Sequence, residues 1–371
     1  MLRTPFYQFH LDHGAKMVDF AGWQMPIMYG SIHGEHRQVR SSGGLFDVSH
    51  MGRIKVSGRH ARRLVERVLT RRVSDMAVKT CRYSLVCNEH GGTRDDVLVY
   101  RFDDYWLLVV NAANRQKVLA HLHDHIHELV VKVEDQTMDT AMVALQGPRV
   151  MDQIGRFSSE VPTLKRYTFC TKNLLILKMT ISRTGYTGED GVEVILPAKM
   201  AGMALKLLYK DKGDDPDATN VMAPAGLGAR DSLRLEAGMP LYGHELDETI
   251  DPLSAGLAFA VCLDKDQDEN GEPFVGQEAL KKIAAQGPRR RLVGLKLDGK
   301  RTARQGMKVL SGDTHVGDVT SGCLSPTLGH PIAMAYIEAG AASDGAALSV
   351  DLGGHRADAQ VVGLPFYKRG K

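Results

Sequence analysis

Apolar residues recur in three short consecutive stretches, residues 83–87, 96–102 and 105–111, with the composition of β-strands. A turn rich in glycine, residues 88–92, separates the first two stretches, and an Asp-Asp pair at 103–104 separates the last two. Short turns join neighbouring strands that run in opposite directions. The pattern therefore predicts an antiparallel sheet built from three sequential strands.

A different spacing, that of a helix with one buried face, covers residues 61–69. The apolar positions are Ala61, Leu64, Val65, Val68 and Leu69. The remaining surface carries six arginines and a single acid, Glu66; the arginines are Arg59, Arg62, Arg63, Arg67, Arg71 and Arg72. We interpret this as a solvated helix face, and a surface that binds an acidic partner is the alternative.

The same reasoning predicts further elements on both sides of this helix. The predicted strands lie at residues 53–56, 141–145, 174–182 and 192–196, and the predicted helices lie at 35–40, from about 149, and at 203–209. After an acidic linker at 211–220, Gly226 and Gly228 allow close packing at the start of another helix. Arg230 then projects from the first turn of that helix.

The composition changes after Leu263, where residues 264–269 hold four acids and one lysine. We interpret this run as a linker and predict two regions, 1–270 with two interleaved subdomains and 271–371 as a C-terminal domain. The second region contains short strands separated by Gly and Asp turns, at 291–297, 307–311, 347–352 and 357–362. That pattern predicts a small barrel or jelly roll. The predicted fold class is α+β, with antiparallel sheets, flanking helices and this C-terminal all-β domain.

Composition narrows the class of protein. The chain has 371 residues, 43% of them hydrophobic and 25% charged, as in a globular protein with a real core. No apolar run approaches the length of a membrane span, and the N-terminus lacks the apolar segment of a signal peptide. Five cysteines without a Cys-x-x-Cys pair argue against a disulfide framework and a thiolate zinc site. We therefore expect a cytoplasmic protein without a membrane anchor, and a net charge of +3 does not by itself indicate nucleic acid.

Histidines suggest a metal site in two places, and neither is convincing. His33 and His36 have no further ligands nearby in sequence. A predicted helix also carries histidines at four alternate positions, namely His121, His123, His125 and His127. Two i,i+4 pairs on a helix have the geometry of a two-histidine site, but these pairs point in different directions. We prefer a polar helix face and predict no metal.

Three segments carry candidate chemistry. The turn at 88–92 leads into Asp95 and Asp96, of which only one can face a given side of the strand. A loop with three glycines at 183–191 precedes a strand in which Glu193 is the one carboxylate. If that carboxylate is buried it needs a partner, which makes it a candidate ligand for a substrate rich in donors; a solvent-facing position is the alternative.

These segments resemble, in order and almost from end to end, the glycine cleavage T-protein family. The resembling motifs are Val18-Asp19-Phe20-Ala21-Gly22-Trp23, Phe46-Asp47-Val48-Ser49-His50-Met51, residues 91–100, Val110-Asn111-Ala112, residues 183–191, residues 226–238, Leu241-Tyr242-Gly243, Thr320-Ser321-Gly322, residues 324–329 and residues 364–369. Each motif is weak alone, and the ordered series is specific. The resemblance implies a folate-binding fold, with tetrahydrofolate as co-substrate and no metal.

The resemblance also implies roles for individual residues. The family's essential aspartate falls on Asp95, and its folate-contacting glutamate falls on Glu193. The arginine at the start of its Ala-Arg-Asp helix falls on Arg230. Four further positions are expected near the folate: Tyr83, Asn111, Tyr186 and Tyr367. Arg94 departs from the family, where an apolar residue is common; strand alternation would point it away from Asp95.

The activity implied is that of an aminomethyltransferase. The one-carbon unit of an aminomethyl group on the lipoylated H-protein would pass to tetrahydrofolate, with release of ammonia and formation of 5,10-methylenetetrahydrofolate. A folate-dependent demethylase of a small methylated compound is the alternative within the same superfamily. An iron–sulfur maintenance protein fits less well because residues 274–278 lack that branch's cysteine. A nucleic-acid-binding module built on the arginine-rich helix is the alternative from another class.

Overall fold

The computed structural model describes residues 1–174, 177–208, 221–268 and 271–370. The acidic linker predicted at 211–220 lies outside these described residues. The described chain forms two compact, interleaved units. The first unit comprises Met1–Ala61, Met76–Arg82 and Leu98–Asp231, and the second comprises Arg62–Asp75, Tyr83–Val97 and Ser232–Lys371.

Helices and strands are mixed along the chain. The helices are α1 (Tyr7–Asp12), α2 (Ile32–Ser41), α3 (Ala61–Val68), α4 (Arg115–Asp124), α5 (Val150–Gly155), α6 (Ala201–Leu208), α7 (Leu227–Glu236) and α8 (Gln277–Gln286). The strands of the N-terminal half are β1 (Leu2–Arg3), β2 (Lys16–Phe20), β3 (Trp23–Met28), β4 (Gly44–Asp47), β5 (Gly52–Ser57), β6 (Thr80–Cys87), β7 (Thr93–Arg101), β8 (Tyr105–Val110), β9 (Lys132–Asp135), β10 (Thr140–Gln146), β11 (Phe169–Leu174), β12 (Leu177–Ser182) and β13 (Gly191–Pro197). Those that follow are β14 (Ala223–Pro224), β15 (Arg290–Leu297), β16 (Lys308–Ser311), β17 (Thr314–Leu324), β18 (Pro331–Glu338), β19 (Ala347–Asp351) and β20 (Arg356–Val362).

The first unit is built around a six-stranded sheet in the order β11-β12-β13-β10-β4-β14. Its central pair, β10 and β13, is antiparallel from Thr140↔Pro197 to Gln146↔Gly191. Apolar side chains of these strands and of α5 and α6 form the core of the unit. The predicted single strand over 174–182 is wrong in its first residues, because Leu174 ends β11 and Leu177 begins β12. The two strands form an antiparallel pair that the continuous apolar run does not reveal.

The predicted three-strand meander is confirmed. It belongs to a five-stranded sheet in the order β6-β7-β8-β5-β9, in which β7 and β8 are antiparallel. Buried and half-buried residues alternate along β7 from Thr93 to Val99, so every second side chain points into the protein, including that of Asp95. Strands β6 and β7 both continue along the chain from one unit into the other.

The second unit contains a closed six-stranded barrel, β15-β18-β17-β16-β19-β20. Pairing of β15 with β20 closes it, from Gly294↔Val362 to Leu297↔Ala359. Small and β-branched side chains fill the interior, among them Val309, Ala335 and Val350. The α+β fold class is therefore confirmed, and of the two predicted forms of the C-terminal domain the barrel is the one present.

The amphipathic helix predicted at 61–69 is confirmed as α3, but its acid lies elsewhere than expected. Glu66 is buried and forms an ion pair with Lys265 at 2.6 Å. The surface arginines pair with acids from later in the chain: Arg63 and Arg67 with Glu272. Arg72 pairs with two acids of the charged run, Asp264 and Asp268.

The histidine-rich helix is shorter than predicted. Helix α4 ends at Asp124, where His125 acts as its C-cap, and His127 follows with a φ of 41°. The expected i,i+4 helical pair of His123 and His127 therefore does not form. His125 Nδ1 instead contacts the carbonyl of His121 at 2.8 Å.

Within the described residues, no helix is both long enough and apolar enough to cross a membrane.

Candidate active site

The two adjacent acids of β7 occupy opposite environments. Asp95 is fully buried, whereas Arg94 and Asp96 on either side are half-buried. Arg94 points outward and forms a long ion pair with Glu89, 3.6 Å between nitrogen and oxygen. The strand alternation therefore turns the side chain of Arg94 away from that of Asp95, as predicted. Of the two carboxyl groups, Asp95 is the one held inside the protein.

Tyr83 lies on the neighbouring strand β6 and is aimed at the second acid. Its hydroxyl donates to Asp96 Oδ2 at 3.1 Å. Its ring stacks on Phe259, with centroids 6.1 Å apart and planes inclined by 24°. Phe259 is 63% exposed, which is unusual for a phenylalanine and leaves most of an aromatic surface in solvent. Nothing in the local sequence around Phe259 marks it as a candidate for binding.

Tyr367 belongs to the C-terminal segment and is half-buried. Its backbone N–H donates to the carbonyl of Glu236, the last residue of α7, at 2.8 Å. The Glu236 carboxylate is itself held by Ser325 and Thr327. The backbone bond attaches Tyr367 to the last residue of α7, whose side chain is fixed in turn by residues 325 and 327.

Glu193 is buried in β13 and belongs to a hydrogen-bonded chain of side chains. Its Oε2 accepts from Thr184 Oγ1 at 2.6 Å, and Thr184 contacts Ser182, which contacts the Tyr100 hydroxyl at 3.0 Å. Burial, followed by the nearby Cys81 and Glu193, raises the pKa of Tyr100, so its hydroxyl stays protonated. Within the described residues Glu193 Oε1 accepts no hydrogen bond. The buried carboxylate thus retains one oxygen for a donor.

Arg230 lies in the first turn of α7, as predicted, and is half-buried, with its Nη1 atom shielded from solvent. The approach of α7 requires glycine, because a Cβ on Gly226 would lie 2.4 Å from the carbonyl oxygen of Ile27. The Arg230 guanidinium carbon lies 4.7 Å from the centre of the Tyr186 ring, a cation–π contact. Burial lowers the pKa of Arg230, and the negative charge of Glu193 acts in the opposite direction. Arg230, Tyr186 and Glu193 therefore form one cluster in the first unit.

The loop that carries Tyr186 is held by two arginines. Arg183 forms a two-pronged contact with Asp190, through Nε at 3.1 Å and Nη2 at 2.6 Å. Arg40 reaches from α2 to the carbonyl of Thr187 and to the carboxylate of Glu189. Such bonds give the loop a defined shape, which suits a binding loop on a rigid scaffold.

One nitrogen of the Arg230 guanidinium makes no hydrogen bond to the described residues. Its Nη1 is buried and has no hydrogen-bond partner among the residues that the structure describes. A buried guanidinium nitrogen without an acceptor is costly, so this nitrogen is a candidate donor to a ligand or to water. Asn111, the remaining predicted residue, lies in the same unit, directly after β8 and half-buried. Asp95, Tyr83 and Tyr367 belong to the second unit.

Comparison with known proteins places the chain in a family. The model of the GCVT N-terminal domain matches residues 6–265, and that of the glycine cleavage T-protein C-terminal barrel domain matches residues 290–368. An aminomethyltransferase of Rubrobacter xylanophilus is 45% identical over 369 residues, covering 99% of this chain and 94% of the relative. That of Saccharopolyspora erythraea is 41% identical, covering 99% and 98%.

A solved structure agrees with these matches. The crystal structure of glycine cleavage system aminomethyltransferase T from Bartonella henselae superposes with a TM-score of 0.90 at 31% identity, covering 99% of this chain and 98% of that one. Both sequence and fold thus match over the whole length. The chain belongs to the glycine cleavage T-protein family of aminomethyltransferases.

Proposed function

We propose that this chain transfers the one-carbon unit of an aminomethyl group, carried on the lipoyl sulfur of an H-protein, to tetrahydrofolate. The products are 5,10-methylenetetrahydrofolate, ammonia and the reduced lipoyl thiol. The observation that carries the proposal is the half-buried Arg230. Its guanidinium lies over the Tyr186 ring, its buried Nη1 has no hydrogen-bond partner among the described residues, and the charge of the Glu193 carboxylate acts on it.

The cluster fits the chemistry of a pterin. A pterin edge presents adjacent N–H donors and a carbonyl acceptor. Glu193 supplies an acceptor whose position is fixed by Thr184, and Arg230 supplies donors from a planar fork. Tyr186 holds the guanidinium by its ring face and keeps the fork oriented.

The reaction needs no oxidant. The transferred carbon loses its bonds to sulfur and to the amine nitrogen and gains bonds to two nitrogens of tetrahydrofolate. Of the two protons that leave these nitrogens, one ends on the thiol and one on the ammonia. We assign Asp95 to orient the folate amine and to assist this proton transfer, a role that contributes about 10²–10⁴-fold in comparable enzymes. Holding two reactants in line supplies much of the rest.

The test is formation of methylenetetrahydrofolate from aminomethylated H-protein and tetrahydrofolate. We expect activity in the wild type and a loss of at least about 100-fold in Asp95→Asn, with tetrahydrofolate affinity largely kept. Asp96→Asn is the matched control, because its amide oxygen still accepts from Tyr83, and we expect turnover within about threefold of the wild type. Near-normal turnover in Asp95→Asn would contradict the role of that residue.

A second arm addresses the donor. Small methylated amines and sulfonium compounds are offered in place of the aminomethylated H-protein. Efficient one-carbon transfer from such a compound, and none from the H-protein, would replace the proposed function by a folate-dependent demethylase activity.

A further inference from the structure

The turn between β4 and β5 is buried and receives more hydrogen bonds than a simple connection between strands requires. It spans residues 48–51 and belongs to the first unit, the unit that contains Arg230. The Val48 N–H donates to the carbonyl of Met142 at 3.0 Å, and the Met51 N–H donates to that of Val48 at 3.1 Å. Connections normally lie at the surface, so a buried one calls for a reason.

Arg53 clamps the turn from one side. Its guanidinium is fully buried, and its five N–H donors all have acceptors. Nη1 donates to the carbonyls of Ser49 and Met51, the residues on either side of His50. Nε and Nη2 donate to Thr140 and Thr137 at distances from 2.5 to 3.0 Å. The carbonyls of the two residues next to His50 are therefore held by a side chain of β5.

Asp47 holds the turn from the other side. One carboxylate oxygen accepts the Ser49 N–H at 2.9 Å, and the other contacts His10 Nε2 at 2.9 Å. The Ser49 hydroxyl both donates to the carbonyl of Met142 and accepts its N–H. Three buried side chains on two sides thus leave the backbone at His50 little freedom.

His50, the residue that this turn holds in place, has a ring nitrogen without a hydrogen bond to the described residues. His50 is 3% exposed, and its Nδ1 is buried without a hydrogen-bond partner among the described residues. Its one ring contact is with Phe20, edge to face at 5.4 Å. A buried imidazole nitrogen is normally satisfied, so an unsatisfied one on a rigid support is available to a group from outside the chain.

The charges around His50 determine the protonation state of the imidazole that a bound group would contact. Burial lowers the pKa of His50 to about 3; the negative charge of Asp47 opposes this, and the positive charges of Arg230 and Arg53 add to it. The ring is therefore neutral at physiological pH, with one nitrogen a donor and the other an acceptor. Arg230, whose Nη1 is also unfilled, is close enough for its charge to act on the imidazole. His50 Nδ1 and Arg230 Nη1, two buried nitrogens without partners among the described residues, thus belong to side chains that interact electrostatically.

We propose that His50 is a further binding residue for the folate substrate, hydrogen-bonded through Nδ1 to the same ligand that fills Arg230 Nη1. This rests on the proposed function, because that function names the ligand. A neutral imidazole suits the place, since a second cation beside Arg230 would repel it. The Asp47 and Arg53 clamps act as positioning groups that hold His50 at the ligand.

The test uses substitutions that keep or move one nitrogen. His50→Asn places an amide group where Nδ1 lies, His50→Gln places it nearer to Nε2, and His50→Leu removes it. Binding of tetrahydrofolate to the full-length protein is measured by calorimetry under anaerobic conditions. We expect the dissociation constant to rise at least tenfold in His50→Gln and His50→Leu and to stay within threefold in His50→Asn. KM for tetrahydrofolate follows the same order, while kcat at saturating tetrahydrofolate changes less than threefold.

The outcomes separate this inference from the function on which it rests. A wild-type protein that does not bind tetrahydrofolate overturns the proposed function and this inference together. Wild-type binding with unchanged affinity in all three variants overturns the role of His50 alone and indicates that water fills Nδ1. Equal losses in all three variants, accompanied by lower melting temperatures, also overturn it, because a purely structural residue would behave in that way.

Discussion

Arg230 carries, at the scale of one residue, the proposed binding of tetrahydrofolate. Its guanidinium stacks on Tyr186, and its Nη1 has no acceptor among the described residues. Arg230→Lys keeps the charge but loses the planar fork and the ring contact. We therefore expect the dissociation constant for tetrahydrofolate to rise about 10–100-fold, as measured by calorimetry.

Stability provides the control for this substitution. Since Arg230 Nη1 donates to no described residue, little structural hydrogen bonding is lost, and we expect the free energy of unfolding to change by less than about 1 kcal/mol. Urea unfolding followed by circular dichroism measures it. A large loss of stability with unchanged affinity would assign Arg230 to the fold and not to the ligand.

Asp47 gives a prediction about pH. Burial raises its pKa, but the hydrogen bond and positive charge of His10, with Thr4 and Ser49, more than compensate, and the net pKa lies below the ordinary 3.8. The ionised form is thus favoured by folding. Its contribution to stability is complete above the unfolded-state pKa and is lost as the pH falls through the lower folded-state value.

Asp47→Asn removes that contribution. At pH 7 we expect a loss of about 3–5 kcal/mol in the free energy of unfolding, because His10 loses a buried partner. The difference between wild type and variant should stay nearly constant until the pH approaches the ordinary pKa of 3.8 and shrink below it, as the wild-type carboxylate becomes protonated at its lower folded-state pKa. Urea unfolding at each pH measures it, and a difference that grows on acidification would show that the sign is wrong.

Some residues of the candidate site could be predicted from the sequence and others could not, for a physical reason. Glu193 was identifiable as a carboxylate inside an apolar strand, and Arg230 by its place after two glycines. His50 and Phe259 were not singled out, because their special property is an environment. An unfilled buried nitrogen and an exposed stacked ring depend on neighbours distant in sequence.

At the scale of elements, α3 depends on a residue far along the chain. Lys265 Nζ donates to the carbonyls of Glu66, Leu69 and Arg71, the C-terminal end of α3 and the turn after it. It also pairs with the buried Glu66 carboxylate, which accepts the backbone N–H of Val73. One lysine therefore binds a carbonyl in the last turn of the helix, two carbonyls just after it and a buried acid.

Lys265→Met removes these interactions at once. We expect the free energy of unfolding to fall by about 3–5 kcal/mol, since an unpaired buried carboxylate remains. Lys281→Met is the matched control: Lys281 is partly exposed, pairs with Asp266 and Glu278, and should cost less than about 1 kcal/mol. Thermal and urea unfolding of both variants measure this, and equal losses would contradict a capping role for Lys265.

The periodicity that predicted α3 could not have shown this dependence. Helical spacing reports which face is buried, and it placed Glu66 among the surface residues because the acid falls beside the apolar stripe. The same spacing extended the histidine-rich helix beyond Asp124, although the chain leaves α4 there. Boundaries and buried charges are set by tertiary contacts, and a local pattern carries no information on them.

On the scale of the whole molecule, the types of secondary-structure element were predictable, but the strand pairing that closes the barrel was not. Alternation and glycine turns predicted short strands after residue 290, but β15 closes the barrel by pairing with β20, more than fifty residues later. A barrel and a jelly roll differ only in such pairings. The choice between them was therefore beyond the pattern.

Charge gives the last prediction, because it concerns the surface of the entire chain. The arginines around α3 suggested a nucleic-acid-binding face, yet Arg63 and Arg67 are paired with Glu272, and Arg72 with Asp268. With a net charge of only +3, little positive potential remains for phosphates. We expect no binding to duplex DNA tighter than about 10 μM at 150 mM salt, measured by fluorescence anisotropy.

Removing the acids that pair with these arginines should make the positive charge of the arginines available to DNA. In Glu272→Gln/Asp268→Asn, Arg63, Arg67 and Arg72 lose carboxylate partners, and we expect weak DNA binding at 20 mM salt that disappears at 150 mM, since each phosphate contact adds to the salt dependence. Asp313→Asn, which removes the partner of Arg356 in the barrel, is the control and should leave DNA binding unchanged. Submicromolar binding of the wild type at 150 mM salt would instead mean that the arginines are a nucleic-acid site and that their pairing with acids yields to phosphate.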